Sequence, residues 1–248
     1  MPNIIGPIYF SQHMAHNIGI DKYILPSTWR EIGAGFTGNI KEAYLKYQVY
    51  LVNGFKSASP GSDQAAFTGK NGLRKGRQKG AESFSSSPNL SAKVDFYGVR
   101  GLKVGAAVYS GKSQSDLYNG VKTSNTEAIA TADSSVVGIN MVGLDARFRR
   151  KGLQLKGQVN LANLSNTDQY NKFYDSDLGS QMFGYLAEVG FNVLRKYPKY
   201  GQLIPFVRYE VYNTHNTVDG ELAVNGAYNR NDLTFGLGWK ITQGSMLK

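Results

Sequence analysis

Charged residues in this chain fall on alternate positions of runs whose other positions are apolar. Lys93 and Asp95 alternate with Val94 and Phe96, and Asp145 and Arg147 with Leu144, Ala146 and Phe148. Lys156 lies between Gln154 and Gln158, while Leu153, Leu155, Val159 and Leu161 take the opposite parity. Arg208 and Glu210 oppose Val207, Tyr209 and Val211. With Lys46, Lys103, Glu188 and Lys240 on matching parities, one face collects seven bases (Lys46, Lys93, Lys103, Arg147, Lys156, Arg208, Lys240) and four acids (Asp95, Asp145, Glu188, Glu210). Such a wall selects ions by its field and needs no covalent chemistry. Acids beside Arg147 and Arg208 can also neutralise them across strands, leaving a weakly selective wall. Lys156 has no acid in its own run and is expected to be a free cation, whereas Arg208 is expected to be partly paired with Glu188 and Glu210.

Other chemistry is poorly represented. The chain has no cysteine, so disulfides and thiolate ligands are excluded. Its three histidines are His13, His16 and His215, and no G-x-S-x-G elbow or H-E-x-x-H pair is present. No catalytic residue, metal site or cofactor is assigned. Asp168, Asp175 and Asp177 are too widely spaced for a calcium loop. The stretch GKNGLRKGRQKG carries Lys70, Arg74, Lys75, Arg77 and Lys79 without an acid, but no Walker pattern accompanies it. It is expected to be a basic loop at a surface or folded toward a pore mouth. Arg30, next to Glu31, is a second constriction candidate. Nucleic acid is not an expected partner despite the formal charge of +10, because the aromatics occupy the parity opposite the bases.

These residues must be positioned by strands. The stretch 181–212 gives the clearest pattern: Phe183, Tyr185, Ala187, Val189 and Phe191 on one parity, a polar break, then Leu203, Pro205, Val207, Tyr209 and Val211. Period-two alternation of this length exceeds ordinary soluble strands and matches the ~9–11 residues of a tilted membrane-crossing strand. Similar runs are read at 32–39, 44–53, 90–98, 102–109, 136–148, 152–162 and 232–241, nine strands in all. The parity before Met141 does not match, so a bulge or a segment that does not face lipid is expected near 139–143. Connections alternate short and long, which places 40–43, 99–101, 149–152, 195–200 and 242–245 at one end and the longer loops at the other. Outer-membrane barrels have this rhythm, with short turns in the periplasm.

The fold class read from the sequence is therefore all-β: an antiparallel transmembrane β-barrel wall over 32–248, preceded at 1–31 by a loop or partial strand on the extracellular side. Aromatics (16 Tyr, 12 Phe) and 29 Gly suit such a wall. Neither an 18-residue apolar run nor a secretory signal is present. An odd strand count leads to the expectation of a fragment of a larger barrel. A soluble β-sandwich, a barrel hydrolase, or an adhesin or carbohydrate-binding protein acting through the long loops are the alternatives.

Two segments carry a resemblance. The run 24–40, ILPSTWREIGAGFTGNI, contains Pro26, Thr28, Trp29, Arg30 and Glu31, and YQVYLVNGF follows at 47–55. Together they resemble the phosphate-selective porin family of outer-membrane β-barrels, in the form found in Bacteroidetes-type bacteria. The resemblance implies a sixteen-stranded barrel, a homotrimer, outer-membrane lipid as surroundings, and a Lys- and Arg-lined diffusion route for small anionic or polar solutes such as phosphate.

Overall fold

The computed structural model describes residues 4–5, 20–26, 29–59, 63–78, 83–242 and 245–247. They form one eleven-stranded sheet in which each strand pairs, antiparallel, with its neighbours in the chain. Nine strands are long: β2 (Glu31–Ile40), β3 (Leu45–Val52), β4 (Asn89–Phe96), β5 (Leu102–Lys112), β6 (Gly138–Arg150), β7 (Leu153–Ser165), β8 (Gln181–Phe191), β9 (Gln202–Thr217) and β10 (Asn229–Lys240). Two-residue strands, β1 (Ile4–Ile5) and β11 (Met246–Leu247), flank them. The all-β antiparallel wall expected from the alternation is present. Among the described residues the sheet does not close on itself, an arrangement compatible with part of a barrel.

The hairpin turns follow from local chemistry. Lys151 and Gly152 both have positive φ (50° and 87°), as a two-residue hairpin turn matching the strand twist requires. Gly101 (φ 85°) turns β4 into β5. The long connections hold two short helices that the polar composition did not announce, α1 (Thr126–Ser134) and α2 (Thr167–Tyr174). The Asn125 side chain caps α1 by accepting from the Ala128 amide at 3.1 Å. No described helix is long and apolar enough to cross a membrane.

The two faces of the sheet are inverted relative to a water-soluble protein. One face exposes Val49, Leu51, Val104, Val142, Leu144, Val189, Val207, Leu233 and Leu237, with Phe36 at 79% and Phe235 at 70%. The other face buries Lys93, Asp95, Asp145, Lys156, Glu188, Arg208 and Glu210. The parity assigned to the β8–β9 hairpin is observed: Val189, Phe191, Val207 and Tyr209 are exposed, while Leu186, Glu188, Arg208 and Glu210 are buried.

Of the two expectations for 139–143, a bulge or a segment not facing lipid, the bulge is absent. β6 keeps continuous register with both neighbours over 138–150. Its early residues Ile139 and Met141 are apolar because they face inward beneath a hydrophobic cluster. The register shift lies instead between Gln181 and Phe183, where β8 meets β9.

Candidate functional site: the inner wall and its plug

Register brings the inward charges into layers. At one level Lys103 lies opposite Arg147, Arg147 opposite Lys156, Lys156 opposite Glu188 and Glu188 opposite Arg208. Two residues further along each strand, toward the long loops, the order is Lys46, Asp95, Gly105, Asp145, Gln158, Leu186, Glu210 and Asp232. A mainly basic layer thus abuts a mainly acidic one, about 7 Å apart at two strand rises.

The layers are tied by ion pairs. Lys93 Nζ lies 2.7 Å from Asp145 Oδ2 and 3.6 Å from Asp95 Oδ1, and Lys103 Nζ lies 3.0 Å from Asp95 Oδ2. Lys93 reaches Asp145 across β5, which is feasible because Gly105 lies between them. A Cβ there would come within 2.3 Å of Asp145 Oδ2. Arg147 Nη2 stands 4.0 Å from Asp145 Oδ1. Glu188 holds two cations: Lys156 Nζ at 3.3 Å, and the Arg208 guanidinium, whose Nε donates at 3.0 Å and whose Nη2 donates to the same Oε2. Glu210 instead accepts from the Ile20 amide at 2.7 Å.

Lys156 is therefore not the free cation its own strand suggested. It is buried and paired with Glu188 on the neighbouring strand. Arg208, 1% exposed, is paired as expected, but through Glu188. The described inward charges that keep contact with solvent are mostly bases: exposed Lys46 and half-exposed Arg147, Lys240 and Lys103, whose side chain is 40% accessible. Of the acids in these layers Asp95, Asp145, Glu188 and Glu210 are buried, and Asp232 is exposed.

Toward the long-loop end the interior is filled by a plug. The β3–β4 connection folds back over the inner face, where Phe55, Phe67 and Leu73 are fully buried. Ile20 and Ile24, from the helical turn Ile20–Ile24, join them against Tyr109, Ile139, Met141, Ala162, Met182, Leu186 and Tyr212. Gly184 leaves room for that turn, since a Cβ would lie 2.9 Å from Ile20 Cγ1. Trp29 stacks on Phe55 at 4.4 Å between centroids and meets Tyr109 edge-on at 5.0 Å.

Polar bonds fix the plug to the surrounding loops. Tyr170 of α2 donates to the Ser57 carbonyl (2.7 Å) and accepts from the Phe67 amide (3.1 Å). The Gly69 amide donates to Asp177 Oδ1 at 2.8 Å, and Thr214 Oγ1 donates to the Gly69 carbonyl. Gln114 Oε1 accepts from the amides of Ser86 (2.6 Å) and Ser87 (2.8 Å), and its Nε2 donates to the Lys112 carbonyl. In the basic run, Lys70 and Lys75 are exposed, and Arg74 and Arg77 are half-buried around a short helical turn at Arg74–Gly76. Lys79 lies outside the described residues. The run is thus carried on an inward-folded loop, in line with the second of the two placements expected for it.

Other candidates have structural roles. Arg30 is exposed, while Glu31 is buried and accepts from Tyr109 Oη at 3.0 Å. His215 Nε2 contacts the Asp177 carbonyl at 2.6 Å while Nδ1 accepts from the Asn225 amide at 3.1 Å, which makes Nε2 the protonated nitrogen. His13 and His16 lie outside the described residues. Asp168 pairs with Lys172, and Asp177 Oδ2 accepts from Tyr228 at 2.6 Å. Among the described residues no group of three His, Cys, Asp or Glu could hold a metal.

A second basic feature escaped the parity reading. Arg230 approaches the rings of Tyr23, Tyr212 and Tyr228 at 5.3, 5.8 and 5.9 Å. Burial raises the Tyr23 phenol, but hydrogen bonding and charge from Lys22 and Arg230 outweigh it and hold the phenol below the ordinary tyrosine value.

No family model matches this chain. The chain is similar to an uncharacterized protein of Aquifex aeolicus (strain VF5), 26% identical over 199 residues. The match covers 80% of this chain and 43% of that protein, so the chain spans less than half the length of this relative.

Proposed function

We propose that this chain forms part of the wall of an outer-membrane channel through which small solutes and ions diffuse, with anions favoured. The inverted sheet carries this reading. Large aliphatic and aromatic side chains exposed across consecutive strands are costly in water and at rest in lipid. Polar and charged side chains on the opposite face suit a lumen. A soluble sandwich would need a second sheet on the apolar face, and among the described residues all strands belong to one sheet.

The preference for anions rests on which charges stay in contact with water. Lys46, Lys240 and the solvent-reaching parts of Lys103 and Arg147, whose acidic partners Asp95 and Asp145 are buried, outnumber the exposed Asp232 and set the potential of the route. Phosphate as the favoured anion, and a trimer, are carried by the resemblance at 24–55 and belong to this proposal.

The test is reversal potential in a planar bilayer under a salt gradient, using the full-length gene product. Anion preference is expected, and Lys240→Glu, opposite Gln202, should move the reversal potential toward cations while the protein still folds. Lys156→Glu should fail earlier, by placing an acid against Glu188. Loss of all conductance in correctly folded wild-type protein would falsify the channel reading.

A further inference from the structure

The charge of the molecule is divided between the two ends of the strands. The four long loops (53–88, 113–137, 166–180 and 218–228) hold eight Lys and Arg against ten Asp and Glu. The short-turn end is different. Arg149, Arg150 and Lys151 surround the β6–β7 turn, and Arg195, Lys196 and Lys199 fall in the β8–β9 turn. Lys41 and Arg100 lie in the two preceding short turns, where Glu42 is the single acid of all the short turns. Arg149–Lys151, Arg195, Lys196 and Lys199 are all exposed.

Aromatic side chains share this end. Tyr44, Tyr197, Tyr200 and Trp239 are each at least 40% exposed. The Trp239 indole donates to the Tyr200 carbonyl at 2.9 Å, which fixes the ring at the rim. Lys199 Nζ lies 4.7 Å from the Tyr200 ring centroid, and the Arg195 guanidinium 5.9 Å from that of Phe191. Bases laid against exposed rings set their heads where an acyl layer meets its headgroups. Between the turns opens a cavity of ≈ 910 Å³, lined by Arg149, Arg150, Arg195 and Lys240 together with Gln154 and Gln202. Its lining combines guanidinium forks with amide donors, the groups that bind phosphate oxygens.

We propose that the short-turn rim is a collar for anionic phospholipids, in which Arg195 and Lys199, laid against exposed rings, meet the headgroup phosphates; the cavity, lined in part by inward-facing Gln154 and Lys240, is not assigned to lipid. This rests on the membrane reading of the outer face. Lipid is favoured over free phosphate because the bases are spread around the rim beside exposed aromatics, and a single soluble ion would use only the cavity.

Trp239 makes the collar testable: Trp29 is buried in the plug, and subtracting the Trp239→Phe variant isolates the signal of Trp239. Full-length protein is placed in phosphatidylcholine vesicles containing brominated phosphatidylcholine or brominated phosphatidylglycerol, and quenching is followed, with Trp239→Phe as background. Brominated phosphatidylglycerol is expected to compete for the site about fivefold better. Arg195→Gln with Lys199→Gln should abolish that preference, while Lys122→Gln in a long loop should leave it intact. Equal quenching by both lipids overturns the collar and leaves the membrane reading standing. Quenching by neither lipid overturns both. A preference erased by millimolar inorganic phosphate, but not by chloride at equal ionic strength, assigns the cavity to a free anion and overturns the collar.

Discussion

Glu188 illustrates how single residues carry this wall. It is buried with Lys156 on one side and Arg208 on the other. Removing its charge strands two cations in a site already stripped of water. Breaking a buried pair in this way costs about 3–5 kcal/mol, because the surviving charge keeps its desolvation penalty. Glu188→Gln should therefore lower the urea midpoint of the detergent-solubilised protein substantially. Glu42→Gln, in an exposed turn, should leave it within error. Equal midpoints would mean that water reaches Glu188. Lys156 is also where reading the sequence failed. Its partner sits 32 positions away, on a strand whose pairing register alternation alone does not reveal. Arg208 was legible because its own strand and the preceding one both carry acids.

At the scale of elements, the strands were legible because apolar outward-facing and interior-facing positions alternate with period two, and the nine long strands lie close to where that pattern placed them. The β8–β9 hairpin offers a direct check of face assignment. Nitroxides at Ala187, Val189 and Phe191 should be relaxed by oxygen partitioned into lipid. Labels at Gly184 and Gly190, both inward, should be shielded from it, and uniform relaxation along 184–191 would sink the assignment. What alternation hid was the interior surroundings of each strand. The broken parity before Met141 suggested a bulge or a segment not facing lipid, and Ile139 and Met141 are regular strand residues under an apolar plug. The two loop helices, each under ten residues, lie in segments too short and too polar for a helical period to stand out.

For the whole molecule, the decisive arrangement is the plug packed against the long-loop half of the inner face, with the charge layers between it and the short-turn mouth. Phe67 lies fully buried at its centre, between Phe55 and Tyr170. Truncation of such an aromatic costs about 3–5 kcal/mol of local packing. The wall has its own ladder of hydrogen bonds and should survive. Phe67→Ala is thus expected to raise single-channel conductance and its noise while strand content by circular dichroism stays constant. Unchanged conductance with an intact fold would place the conducting route outside the plug.

The strictly sequential strand order has an evolutionary corollary. A wall made only of neighbour-to-neighbour hairpins behaves as a linear polymer whose repeat unit is two strands, so its circumference can be edited in whole units. Excising β6 and β7 would bring β5 beside β8 with antiparallel polarity preserved, because β6 and β8 run the same way. At the level of the basic layer, Lys103 would then meet Glu188, a complementary pair, in place of the Arg147 and Lys156 that now stand between them. That loss would also take Asp145 from Lys93 and Lys156 from Glu188. The wall can therefore change width in whole hairpins only where a new cross-strand pair, such as Lys103 with Glu188, replaces those removed, and the plug packed against the lost strands becomes the part that has to be redesigned.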